Sequence, residues 1–281
     1  MGTLRQFGNF LLFSNLFVSL CAGAITAQTY LVFHIKPDLT YIAFVFFSTL
    51  CLYNLQRIAL SPIYSKATLS IRHSWIIDHR KTLVSLFILG GTGLLICLCF
   101  IGTNLLYVMA PLGIISVLYF LPGVRLRKIP AVKAFMVAFV WATVSLYIPL
   151  QLNGEVELNK VLLIMFSERL LFLLSLCIVF NIRDIEHDKL SAVRTIPSLY
   201  GIAAGKTVAI GCLILSVSLS VILHRQSIYN TSIILAIIIA VVIATALILS
   251  CSKKSSEYFY IFGIDGMMLL QPLLIYSCNF I

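Results

Sequence analysis

Asp184 and Asp188 lie four residues apart in the stretch Asn181-Ile-Arg-Asp-Ile-Glu-His-Asp-Lys189. On a continuing helix that spacing predicts both carboxylates on one face. Two hard oxygen donors so placed suit Mg2+, which takes one or two carboxylates and completes its shell with water and substrate phosphate. The flanking Arg183, Lys189 and Arg194 are candidates for charge-assisted hydrogen bonds to the oxygens of such a phosphate. The same string also reads as a connector kept wet by its charges. A second polar stretch, Tyr53-Asn54-Leu55-Gln56-Arg57, closes another apolar run in the same way. Asp265 stands alone about eight residues, or roughly 12 Å, inside a third run. A carboxylate at that depth is costly and usually faces a cavity or a partner. It is a candidate to orient an acceptor, act as a base or join a network with Asn54. A hydrogen-bonded structural role accounts for it equally well.

These groups must be positioned by elements that the rest of the chain defines. The chain has 281 residues, of which 60% are hydrophobic and 11% charged, and its mean hydropathy is +1.05. A soluble domain is about 45–50% apolar and about 25% charged. This balance excludes a soluble globular enzyme, a disordered tail and a secreted disulfide scaffold. Apolar runs fall at 9–33, 39–60, 82–101, 104–121, 131–150, 160–180, 203–223, 230–250 and 258–279, and a membrane span needs roughly 20 residues. The reading is a single all-α, polytopic domain of nine transmembrane helices over residues 1–281. Arg5 followed by Ala22-Gly23-Ala24 resembles a signal peptide, but the apolar run continues to Phe33, which favours an uncleaved first span. The eight cysteines show no metal-ligand spacing and read as packing residues.

The net charge of +10 is mainly topological. With the N-terminus cytoplasmic and the C-terminus outside, sixteen of the twenty Lys and Arg residues fall on the cytoplasmic side. Nucleic acid is therefore not an expected partner, and the expected location is a bacterial inner (plasma) membrane. Asn54-Arg57 and Asn181-Lys189 then close the second and sixth spans on the same cytoplasmic face, which suggests one shared site. Glu168 and Arg169, near the outer side of the sixth span, are expected to be structural and partnered on other helices. His73, Asp78 and His79 read as connector residues, and Trp75 as part of an interfacial cap.

Asp184-Ile-Glu-His-Asp188-Lys189, followed by Arg194-Thr-Ile-Pro197 and Gly201, resembles the second aspartate-rich motif of the UbiA superfamily of intramembrane prenyltransferases, whose form is like D-x-E-G-D-K, a gap, R/K-T-L/I-P and a glycine. Tyr119-Phe-Leu-Pro122 through Arg125-Leu-Arg127-Lys128, then Lys133 and Trp141, is similar to that family's connector between the fourth and fifth spans. The resemblance implies a UbiA-like fold of nine helices. It also implies transfer of a prenyl group from an isoprenyl diphosphate to a lipophilic acceptor, assisted by Mg2+ on Asp184 and Asp188. Arg127 and Lys128 join Arg57, Arg183, Lys189 and Arg194 as candidate diphosphate contacts, and Asn54 is the surviving position of the first motif.

In the family that first motif resembles N-D-x-x-D, whereas here Leu55 and Ile58 stand where the aspartates would be. A two-sided Mg2+ clamp then lacks half its carboxylates. One reading has Arg57 replace a metal with a bidentate guanidinium fork. The other is a lipid- or isoprenoid-binding or transport protein that keeps the fold without the reaction.

Overall fold

The computed structural model describes residues 2–60, 71–120, 132–154, 159–190 and 193–278, and every regular element among them is helical. The helices are α1 (Gly2–Phe13), α2 (Leu16–Val32), α3 (Leu39–Leu60), α4 (Ile71–Asp78), α5 (Arg80–Phe100) and α6 (Thr103–Phe120). They continue with α7 (Val132–Ala142), α8 (Ile148–Leu152), α9 (Lys160–Arg183), α10 (Ile185–Leu190), α11 (Ile196–Arg225), α12 (Thr231–Ser250) and α13 (Met267–Cys278). π-helical turns join α7 to α8 at Thr143–Tyr147 and lead into α13 at Phe259–Asp265.

Each of the nine apolar runs carries helix among the described residues, and nine spans are not confirmed. Among the described residues seven helices are long and apolar enough to cross a membrane, and an eighth crossing arises if α1 and α2 count as one span bent by 59°. The remaining run carries α6, an apolar helix of 18 residues with Pro111 inside it. The bend in the first span falls at Ser14-Asn15, two polar residues inside an apolar run. Asn15 has φ 67°, a left-handed conformation that Asn tolerates better than most residues. Large apolar side chains such as Phe100, Leu95, Val242 and Leu249 are exposed around the outside. Exposed hydrophobic faces on helices of this length are what a bilayer accommodates.

Helix α9 is the central post, packed between α7 and α11, and α12 and α13 extend that layer to α2. On the other side α3 lies against α5 so closely that a Cβ on Gly90 would sit 2.8 Å from the Cys51 nitrogen and one on Gly93 2.6 Å from the Phe47 ring. Small residues at helix contacts allow such approach in membranes. The first π-helical turn releases backbone carbonyls that side chains then satisfy. Tyr41 Oη donates to the Val144 carbonyl and Thr29 Oγ1 to that of Ser145. α7 is thereby fixed to α2 and α3, and Lys133, at its second position, is held at one end of the bundle.

Candidate functional site

The 180–201 segment is built by ordinary helix punctuation. Asp184 ends α9 as its C-cap, and α10 starts one residue later, so the turn continues through Asp188. Thr195 caps α11 reciprocally with Ser198, and Pro197 occupies the first turn. Gly201 has φ 89° and ψ 170°, a region open essentially only to glycine. The Thr-Ile-Pro and glycine of this segment therefore aim the chain, while the charged residues before them face one another.

The two aspartates do share a face, since one ammonium reaches both. Lys133 Nζ donates to Asp188 Oδ1 at 2.8 Å and Oδ2 at 2.9 Å, and lies 3.6 Å from Asp184 Oδ2. Asp188 is fully buried and Lys133 nearly so. Arg183 Nε donates to Asp184 Oδ1 at 2.8 Å, and its guanidinium lies 4.7 Å from the Phe180 ring centroid and 5.8 Å from that of Tyr260. Burial works against the charge on Asp184, but Arg183 and Lys133 outweigh it and hold the carboxyl well below the usual range. Phe180 is thus already stacked on an internal cation.

Two residues that the sequence reading left out complete the cluster. Arg72, from α4, is buried with its Nε 3.7 Å from Glu257 Oε2, and Arg183 Nη1 lies 3.6 Å from the same oxygen. Burial lowers the Arg72 guanidinium to about 9, helped by the charges of Arg183 and Arg57. Among the described residues, neither Arg57 Nε nor Arg72 Nε, both buried, has a hydrogen-bond partner. Asp265, within electrostatic reach of Arg183, Arg72 and Arg57, stands on the deeper side beside Cys177 and Tyr53. Tyr53 in turn meets Trp141 edge-on at 6.5 Å. Arg57, Arg183, Asp184, Asp188 and Asp265 of the expected set are therefore brought together. Lys133, Arg72 and Glu257 join them from distant segments.

The remaining expected residues are placed as follows. Asn54 is fully buried and its amide is committed. Nδ2 donates to the Ser14 and Leu50 carbonyls, and Oδ1 accepts from Asn15 Nδ2. It pins the break between α1 and α2, so the expected substrate contact is spent on scaffold. Arg194 is exposed. Arg127 and Lys128 lie outside the described residues; Lys189 lies on α10, and only its place there is described. Glu168 and Arg169 are structural. Arg169 donates to the Ile25 carbonyl and Ser145, while Glu168 accepts from Ser216 and Ser220. Among the described residues no three His, Cys, Asp or Glu side chains form a metal-binding group.

Helix α4 lies over this cluster. Trp75 stacks on His79 with centroids 4.4 Å apart and meets Phe13 of α1 edge-on at 6.0 Å. Phe13 also contacts Tyr258, whose hydroxyl donates to Asn9. Segments from both ends of the chain thus close one roof.

No protein-family model and no curated protein matches the chain. Solved structures do resemble it. A UbiA homolog from Archaeoglobus fulgidus bound to GPP and Mg2+ aligns at TM-score 0.69 with 14% identity, over 97% of this chain and 100% of that one. A UbiA homolog from Aeropyrum pernix K1 in its apo form gives 0.62 with 12% identity, over 94% and 96%. A structure concerned with digeranylgeranylglyceryl phosphate synthase in membranes gives 0.58 with 20% identity, over 99% and 100%. The fold is therefore UbiA-like over essentially its whole length.

Proposed function

We propose that this chain is a divergent UbiA-superfamily prenyltransferase that binds an isoprenyl diphosphate at the Arg57–Arg72–Lys133–Arg183 cluster and passes the prenyl group to a lipophilic acceptor. The observation that carries the reading is the pair of buried guanidinium nitrogens, Arg57 Nε and Arg72 Nε, with no hydrogen-bond acceptor. A buried donor left unsatisfied costs about 1–3 kcal/mol, and an anion with several oxygens removes that cost. Solved relatives of this fold bind GPP or DMAPP with Mg2+, which supports an isoprenyl diphosphate as that anion. The charged end of the bundle faces the cytoplasm in this reading.

In the reaction the bond between the prenyl C1 and the diphosphate oxygen breaks, and both electrons leave with pyrophosphate. Arg57 and Arg72 take up the growing negative charge by charge-assisted hydrogen bonds. The allylic cation is captured by the acceptor nucleophile, which gives up a proton, and Asp265 on the deeper side of the cluster is the group assigned to receive it. Tyr53 and Trp141 are the aromatic neighbours assigned to the cation.

Mg2+, implied by the family resemblance, would have Asp184 and Asp188 as its donors. Those carboxylates are already engaged by Arg183 and Lys133, and Leu55 and Ile58 offer no oxygen. The residues do not fit the metal clamp, and no step is assigned to it.

The test is to incubate membranes holding the chain with labelled isoprenyl diphosphates of several lengths and candidate acceptors, and to follow pyrophosphate release. Arg57→Ala and Arg72→Ala are each expected to slow release at least about tenfold. Unchanged release in both would remove the guanidinium cluster from the site. The loss of the first aspartate pair favours a second reading, an isoprenoid-binding or transport protein. It predicts donor binding with no release for any acceptor.

A further inference from the structure

We infer that Lys133 is a built-in replacement for the metal ion, so that the chain binds its diphosphate without a divalent cation. This rests on the proposed donor-binding reading and adds the means by which the negative charge is held.

The ammonium occupies the place a cation must take to join this aspartate pair. It lies 2.8 and 2.9 Å from the two oxygens of Asp188 and 3.6 Å from Asp184. A Mg2+ ion binds carboxylate oxygens at about 2.0–2.1 Å and requires near-octahedral geometry. It cannot enter between these carboxylates while the ammonium holds both oxygens of one of them. The competing carboxylate is also committed, because Arg183 Nε holds Asp184 Oδ1 at 2.8 Å. A lysine ammonium has three donors. With two on Asp188, it has capacity for one further acceptor, such as an oxygen of the donor's diphosphate.

The second observation is independent and lies on α3. Both expected carboxylates of the first motif are absent, since Leu55 and Ile58 stand in their places. At the end of the same helix Arg57 presents a buried Nε with no hydrogen-bond partner, matched by Arg72 Nε from α4. One half of the usual clamp has thus exchanged anions that recruit a metal for a cation that meets phosphate directly. In the other half the anions remain but carry a lysine. The two arrangements have the same consequence, which is fixed positive charge on the protein where a diffusible ion would otherwise supply it. A point charge on Lys133 and planar forks on Arg57 and Arg72 divide the task as their geometry suits.

The test uses the purified full-length chain in lipid nanodiscs and geranyl thiolodiphosphate, an analogue whose C–S bond resists ionisation. Binding is measured by calorimetry in EDTA and in excess Mg2+. The wild type is expected to bind equally in both, within about threefold. Lys133→Met is expected to lose at least about tenfold in EDTA and to recover with Mg2+, while Lys133→Arg keeps metal-free binding. The metal alone provides a second readout. Mn2+ followed by electron paramagnetic resonance should stay free with the wild type and bind to Lys133→Met, whose thermal midpoint should rise with Mg2+ where the wild type's does not. Wild-type binding that needs Mg2+, or Mn2+ bound by the wild type, overturns the inference and leaves the proposed function standing. Binding in neither condition removes the donor reading and the inference together.

Discussion

Lys133 and Asp188 form a pair whose members can be replaced together but not singly. Lys133→Met leaves a carboxylate with no exposed surface and without its cation, and should cost about 3–5 kcal/mol. The double change Lys133→Met/Asp188→Leu exchanges the pair for an apolar contact and should recover most of that loss. Denaturant unfolding of the two variants in detergent checks this, and an equal deficit in both would show that the pair is not the cause. His73 makes a pH prediction. Burial, and then the charges of Arg72 and Arg57, push its imidazole down to about 4, whereas an unfolded His titrates near about 6.5. Between those values the unfolded chain binds a proton that the folded one refuses. Stability is therefore full above pH ~6.5 and falls as the pH drops toward ~4. A comparison of unfolding midpoints across that window should find the slope reduced in His73→Gln.

At the scale of elements, the second aspartate-rich segment divides into charges and hinges. Gly201→Ala forces a side chain into a backbone region reserved for glycine and should cost about 1–3 kcal/mol. Gly205→Ala brings a Cβ to 2.8 Å from Pro197 Cγ and should also destabilise. Gly211, farther along α11, has nothing within 4 Å, so its change to Ala should stabilise by roughly 0.5–1 kcal/mol. Thermal melts of the three variants test the ordering. This segment was largely legible in the sequence, because a four-residue carboxylate spacing and a Thr-x-Pro cap act locally. The break of the first span was less so. Ser14-Asn15 is visible as two polar residues, but its partner Asn54 lies on another helix, where it reads as a site residue. Lys133, Arg72 and Glu257 were not legible as site members. Each is one charge among the many that the positive-inside bias places near the cytoplasmic face, or a lone acid beside them. Nothing local distinguishes a side chain that folds inward from one that meets water.

Over the whole molecule, helix boundaries followed the apolar runs closely, while the described residues show seven or eight of the nine expected spans. Composition registers hydrophobicity along the chain, not the bend that divides one run. The orientation is a separate prediction. With the cluster on the cytoplasmic side, Lys253→Cys should react with a membrane-impermeant maleimide only in inside-out vesicles, and Arg225→Cys only in right-side-out ones. The opposite pattern would invert the assignment. The roof over the cluster bears on biosynthesis. Tyr258 and Asn9 are 249 residues apart, and Glu257, the anion beside Arg72 and Arg183, is translated long after Arg72. Until that segment leaves the ribosome, Arg72 has no Glu257 and α1 has no Tyr258 to rest on. The roof over the cluster is therefore absent from every shorter nascent intermediate and forms only once the segment carrying Glu257 and Tyr258 has been made.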